Sequence, residues 1–167
     1  TDTFTDSASL LPVLAPGEPG FYENKQFTDL VDTYNVRNDV VYIQVSDADE
    51  NDNSGIVDSV VVRVFVGNGG NGLIVDTELI QLTEATPASG IFRSDTLALV
   101  DTMIPVFGDR ILTAGAGDTL HVFYFDNDLA SDSGYDTALI LAVPTNGIVQ
   151  FYENILGLKA IIHKRNA

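Results

Sequence analysis

The segment Val60-Val61-Val62-Arg63-Val64-Phe65-Val66 alternates with a period of two, setting Val60, Val62, Val64 and Val66 on one side. Such a period belongs to a strand; a helix would repeat its apolar positions every third or fourth residue. Val41-Tyr42-Ile43-Gln44-Val45 alternates in the same way, and further runs cover Leu73 to Leu82, Gly90 to Val100, Asp118 to Phe125 and Tyr135 to Val143. All are rich in Val, Ile, Phe and Tyr, which fit a pleated, half-buried surface. Turn-forming residues separate them: Gly67-Asn68-Gly69-Gly70-Asn71-Gly72 reads as a hairpin loop and Thr145-Asn146-Gly147 as a turn. No amphipathic helical pattern interrupts the series. Short strands at regular spacing predict an all-β chain arranged as an antiparallel β-sandwich.

The balance of 24 acidic against 8 basic residues, a formal charge of −16, leaves no basic footprint to neutralise phosphates, so nucleic acid is excluded as a partner. No apolar run reaches the roughly 20 residues of a membrane span. Cysteine is absent, which removes disulfide scaffolds, thiolate zinc sites and thiol nucleophiles. The first residues, Thr1-Asp2-Thr3-Phe4, resemble a chain exposed by signal-peptide cleavage. The expected location is therefore extracellular or on the cell surface.

Acid is concentrated in two loops. The first, Asp47-Ala48-Asp49-Glu50-Asn51-Asp52-Asn53-Ser54-Gly55-Ile56-Val57-Asp58, sets oxygen donors at alternate positions Asp47, Asp49 and Asn51, with Asp52 and Asp58 following. Calcium takes six to eight oxygens, and alternate Asp and Asn in a tight loop can converge on one ion. An EF-hand is rejected, because Asp52 stands where glycine is required and the flanks read as strands. The second loop, Asp126 to Asp136, holds Asp126, Asp128, Asp132 and Asp136. Neither loop contains a basic residue, and a divalent cation relieves the repulsion of like charges this close. Plain solvated turns are the competing reading, since Asp and Asn favour turns.

The two ends differ from the middle. Residues 1 to 26 read as an N-terminal arm whose apolar stretch Leu10, Leu11, Val13 and Leu14 carries two prolines, a mark of an edge or added strand. Residues 27 to 146 form the sandwich domain. Residues 147 to 167 form a second arm in which Ile155, Leu156, Leu158, Ile161 and Ile162 are joined by Lys159, Lys164 and Arg165, with no acid after Glu153. These two sets are the candidate subunit interface. They are either strands donated to a neighbour or the first and last strands of the same domain.

No G-x-S-x-G elbow, phosphate loop or dinucleotide fingerprint occurs, and the two histidines, His121 and His163, sit in a strand and in the basic tail. No enzymatic activity is expected.

The series Val45-Ser46-Asp47-Ala48-Asp49-Glu50-Asn51, Asp58-Ser59-Val60-Val61-Val62, Ile80-Gln81-Leu82-Thr83-Glu84-Ala85-Thr86-Pro87-Ala88-Ser89-Gly90-Ile91-Phe92, Gly117-Asp118-Thr119-Leu120 and Tyr124-Phe125-Asp126 resembles the immunoglobulin-like β-sandwich module of exported bacterial and archaeal surface proteins. The resemblance covers about residues 27 to 143. It implies an extracellular immunoglobulin-like or jelly-roll-like sandwich, often calcium-bearing, with no activity of its own. A single acidic sandwich with apolar arms is also similar to subunits of extracellular filaments and tubules, including the cannula-forming proteins of hyperthermophilic archaea. That similarity implies copies of the chain joined by strand donation, with calcium promoting assembly. The alternative is a monomeric calcium-binding adhesin or sugar-binding surface module.

Overall fold

A computed structural model describes residues 17–37, 39–101, 103–126 and 130–143. The candidate interface positions Leu10, Leu11, Val13 and Leu14, and those from Ile155 to Arg165, lie outside the described residues, as do Asp128 and the Thr145–Gly147 turn. The described residues are all-β: β1 (Glu18–Tyr22), β2 (Thr33–Asn35), β3 (Val40–Ser46), β4 (Ser59–Gly67), β5 (Ile74–Glu84), β6 (Ile91–Arg93), β7 (Leu97–Val100), β8 (Ile111–Thr113), β9 (Thr119–Tyr124) and β10 (Gly134–Leu141), with one 3₁₀ turn at Ala130–Asp132.

The strands form one mixed sheet in the order β2-β10-β9-β4-β5-β6-β3-β7-β8, with β1 on the free side of β3. The pairings β2–β10 and β7–β8 are parallel, whereas an antiparallel arrangement throughout was expected. The sheet is not closed, but it curls so that β1 lies against β10 and β9, and β8 against β5 and β4. Each strand's apolar side thereby meets another strand's apolar side.

The period-two reading of β4 holds in detail. Val60, Val62, Val64 and Val66 are buried, while Val61 and Arg63 are exposed. Ile80 and Leu82 of β5, Leu120 and Val122 of β9, and Ile43 and Val45 of β3 join the same core. Asn68 to Leu73 closes the β4–β5 hairpin, with Asn68 N donating to Leu73 O at 2.8 Å. Three strands escape the periodic pattern. β2 and β8 have three residues each, too few to show a period. β1 falls within the stretch assigned to the N-terminal arm, yet all five of its residues pair with β3, and Phe21 and Tyr22 are fully buried. The Gly90 to Val100 run is split into β6 and β7.

Inward positions also hold carboxylates, and each fastens a loop. Asp76 accepts from Thr113 N at 2.8 Å, which ties β8 to β5. Glu78 accepts from Gly108 N at 3.0 Å and Arg110 N at 2.8 Å. Glu84 accepts from Ser89 N at 2.7 Å and Gly90 N at 2.9 Å. Asp118 accepts from Gly115 N at 2.7 Å and Gly69 N at 3.2 Å. Hydrogen bonds to charged acceptors are the strong ones, and an unpaired buried carboxylate is costly, so these acids stay inside only because loop amides meet them.

Ile80 and Leu79 are chain neighbours on opposite faces of β5. Ile80→Ala is expected to cost about 2–5 kcal/mol by leaving a cavity. Leu79→Ala, at an exposed site, should change stability by no more than about 0.5 kcal/mol. Urea denaturation of the two variants checks the phase of the strand; equal losses would contradict it.

Candidate metal centre

β3 delivers Asp47 to the end of the sheet with its side chain turned inward, at 0% exposure. Two glycines let the chain close around it. Gly90, in the left-handed region at φ +59, packs so tightly that a Cβ there would come within 2.8 Å of Asp47 O. Gly17, at φ +70, donates from its N to Ser46 O at 2.7 Å, and a Cβ on it would fall 1.3 Å from Asp132 O. Only glycine permits such approaches. The result joins the β3 exit, the segment ahead of β1 and the 3₁₀ turn before β10.

Asp47, Asp49, Asp126 and Asp132 converge there, each offering a carboxylate oxygen, and these oxygens lie within 4.8 Å of one another. Tyr124, on β9, donates its hydroxyl to Asp47 Oδ2 at 2.6 Å. Asp47 Oδ1 is buried and meets no hydrogen-bond donor among the described residues, and Asn51 Oδ1 in the same loop is in the same condition. Asp126 is buried, and its N donates to Ser133 Oγ at 2.9 Å, which draws the second acidic loop inward. A fully buried carboxylate with one bare oxygen, facing three other carboxylates, is an arrangement that a bound cation completes.

Electrostatics agree with the geometry. Burial, then the adjacent Asp49, push the Asp47 carboxyl up to about 6, Asp126 adding to the effect and the Tyr124 hydroxyl opposing it. Asp49 moves the other way, held below the ordinary carboxylate range by its contact with Asp47. Two carboxylates driven apart in this way share a proton when nothing else is bound. The Tyr124 hydroxyl is pushed up by burial and by Asp47, so it stays a donor.

The remaining sequence candidates are placed elsewhere. Asp52 is exposed. Asp58 accepts from Asn53 N at 3.0 Å and so closes its own turn. Asp136 faces the interior of β10 and accepts from Phe21 N at 3.3 Å, pinning β1, with its carboxyl pushed up by burial. The side chains of Asp58 and Asp136 serve backbone amides, and none of the three is among the four converging carboxylates. Tyr124 was not among the sequence candidates; its signal was only that it opens the Tyr-Phe-Asp run into the second acidic loop. Neither the known family models nor the curated proteins contain a match to this chain.

Divalent-cation titration by calorimetry should show Asp132→Asn weakening binding strongly, while Asp52→Asn leaves it unchanged; the reverse pattern would contradict the grouping. A pH prediction follows from Asp47. Its folded value of about 6 lies above the ordinary 3.8, so protonation favours the fold. The stabilisation from this group is complete at low pH and is lost as pH rises through about 6. With chelator present, the midpoint of thermal unfolding should therefore fall as pH rises from 3.8 to about 6 and level off above it. Saturating cation competes with that proton and should abolish or reverse this trend.

Proposed function

We propose that the chain is a structural subunit of an extracellular filament or tubule, assembled from its own copies by strand addition and steadied by calcium. The curled, open sheet is read as an immunoglobulin-like or jelly-roll-like sandwich whose layers are the β1/β3 and β7/β8 side against the β10-β9-β4-β5 side. The observation that carries the calcium part is the bare, buried Asp47 Oδ1 among the carboxylates of Asp49, Asp126 and Asp132. Oxygens that lie within 4.8 Å of one another are close enough to share one ion at about 2.4 Å, a calcium–oxygen length. All the offered atoms are hard oxygens, the set that calcium prefers over softer metals.

Strand addition is supported by the edges of the sheet. Among the described residues β8 pairs only with β7, and β2 only with β10, in ladders three residues long. From Val75 to Leu82, β5 has β4 on one side and, among the described residues, no ladder on the other. Exposed edges are templates for another chain's strand.

The sugar-binding alternative has a specific observation against it. The outward rings of Phe65 and His121 stack at 4.4 Å with planes 9° apart, and Phe123 stacks against Phe125 at 6.0 Å. Rings that cover one another's faces offer edges to solvent, whereas a sugar ring stacks on an open aromatic face.

Electron microscopy of the full-length chain with calcium should show polymers, and chelator should disperse them. A chain starting at Gly17, which preserves β1, or one ending at Val143 should remain folded, and at least one of the two should fail to polymerise. Monomers at high concentration in calcium would overturn the polymer reading and favour the adhesin.

A further inference from the structure

The outward positions of β5, β4, β9 and β10 carry no acid, in a chain that holds 24 of them. Cross-strand partners share a face, so the pairings Arg63↔Leu79, Arg63↔Phe123, Phe65↔His121 and Tyr135↔Phe123 assemble one continuous apolar and aromatic surface. Arg63 lies over Phe65 at 5.5 Å, and Phe123 and Tyr135 are in ring contact at 4.5 Å. At its acidic-loop end this surface sinks into a depression of about 330 Å³, walled by Val61, Arg63, Leu79 and Phe125, with Ser59 and Glu50 on its rim. Phe125 is 63% exposed, although Phe123 stacks beside it.

A second apolar feature stands apart from it. Between β7 and β8, Met103, Ile104, Val106 and Phe107 are all exposed, Ile104 at 84% and Phe107 at 68%. The loop is fixed from beneath, because buried Glu78 accepts from both Gly108 N and Arg110 N. Within the chain, Pro105 and Phe107 line a separate hollow with Ile74 to Thr77 and do not line the depression. A run of large apolar side chains held rigidly in water marks an interaction site. Asp109 and Arg110, both exposed, adjoin it.

We propose that the Met103–Phe107 loop of one copy docks in the Val61–Arg63–Leu79–Phe125 depression of the next. The partner is a second copy because the charges match in pairs: Asp109 and Arg110 beside the loop complement Arg63 and Glu50 at the depression. Two copies at −16 each repel, and the strand positions Val61, Arg63, Leu79 and Phe123 bordering the depression carry no acid, which lowers that repulsion, leaving Glu50 as the acid at its rim. Loop and depression share no residue, so the contact is heterologous and propagates from copy to copy unless it closes a ring. The inference rests on the homopolymer reading for its partner but not on strand addition, since it needs neither arm.

The chain contains no cysteine, so single cysteines report the contact cleanly. Full-length Met103→Cys and Ser59→Cys preparations are mixed under mild oxidation with calcium, while wild type is sedimented in parallel. The expected result is a disulfide-linked heterodimer that neither preparation forms alone, lost when Phe107→Asp is added to the Met103→Cys chain. Cross-linking of like with like, no cross-link, or a yield indifferent to Phe107→Asp overturns the proposal. A wild type that sediments as a polymer beside a failed cross-link removes this contact alone. Specific cross-linking of a chain that sediments only as small complexes supports the contact and removes the polymer reading.

Discussion

A carboxylate turned into a β-sheet core has to be met by donors, and this condition organises the molecule. Asp76, Glu78, Glu84 and Asp118 all occupy buried positions, and each is met by backbone amides, from distant residues for Asp76 and Glu78 and from the adjoining turn for Glu84 and Asp118. The cost of burying the charge is offset only when those loops are in place, so the loops are fixed as firmly as the strands. Glu84 shows the balance: burial pushes its carboxyl up, but hydrogen bonds from Gly90, Asp58 and Ser89 together hold it below its ordinary value. Asp47 is the exception that points to function. Tyr124 donates to one of its oxygens and no described group donates to the other, so that oxygen is available to a cation or to a proton shared with Asp49.

How much of this was legible from residues alone depends on whether the signal was local. The alternation of Val60 to Val66 gave the inward face correctly, because period and burial are the same fact in a half-buried strand. β5 defeats that logic in its first half. Asp76 and Glu78 point inward while Ile74 and Leu79 face solvent, and the amides that make this possible belong to residues 108 to 113, some 30 positions later. β1 was hidden for a related reason: Glu18-Pro19-Gly20 has no alternation, and its pairing comes from β3.

The acidic loops were visible as acid, but their division of labour was not. Asp47, Asp49, Asp126 and Asp132 come from two loops that the sheet brings together, and the tie between β3 and β9 is the Tyr124 hydroxyl. Asp58 and Asp136 look equivalent in sequence yet serve backbone amides. Charge distribution extends the same contrast to the surface. Acid is spent on loop fastening and on one converging group, while the outer face of four strands is left free of it. On a strongly acidic chain, an acid-free aromatic face is where a second acidic surface is repelled least.

The most direct measurement is an anomalous difference map from crystals of the full-length chain grown in calcium. The expected result is one peak about 2.3–2.6 Å from Asp47 Oδ1, flanked by the carboxylates of Asp49, Asp126 and Asp132. Density for a water or nothing at that oxygen, or a calcium peak at Asp52 or Asp58 in its stead, would contradict the central claim.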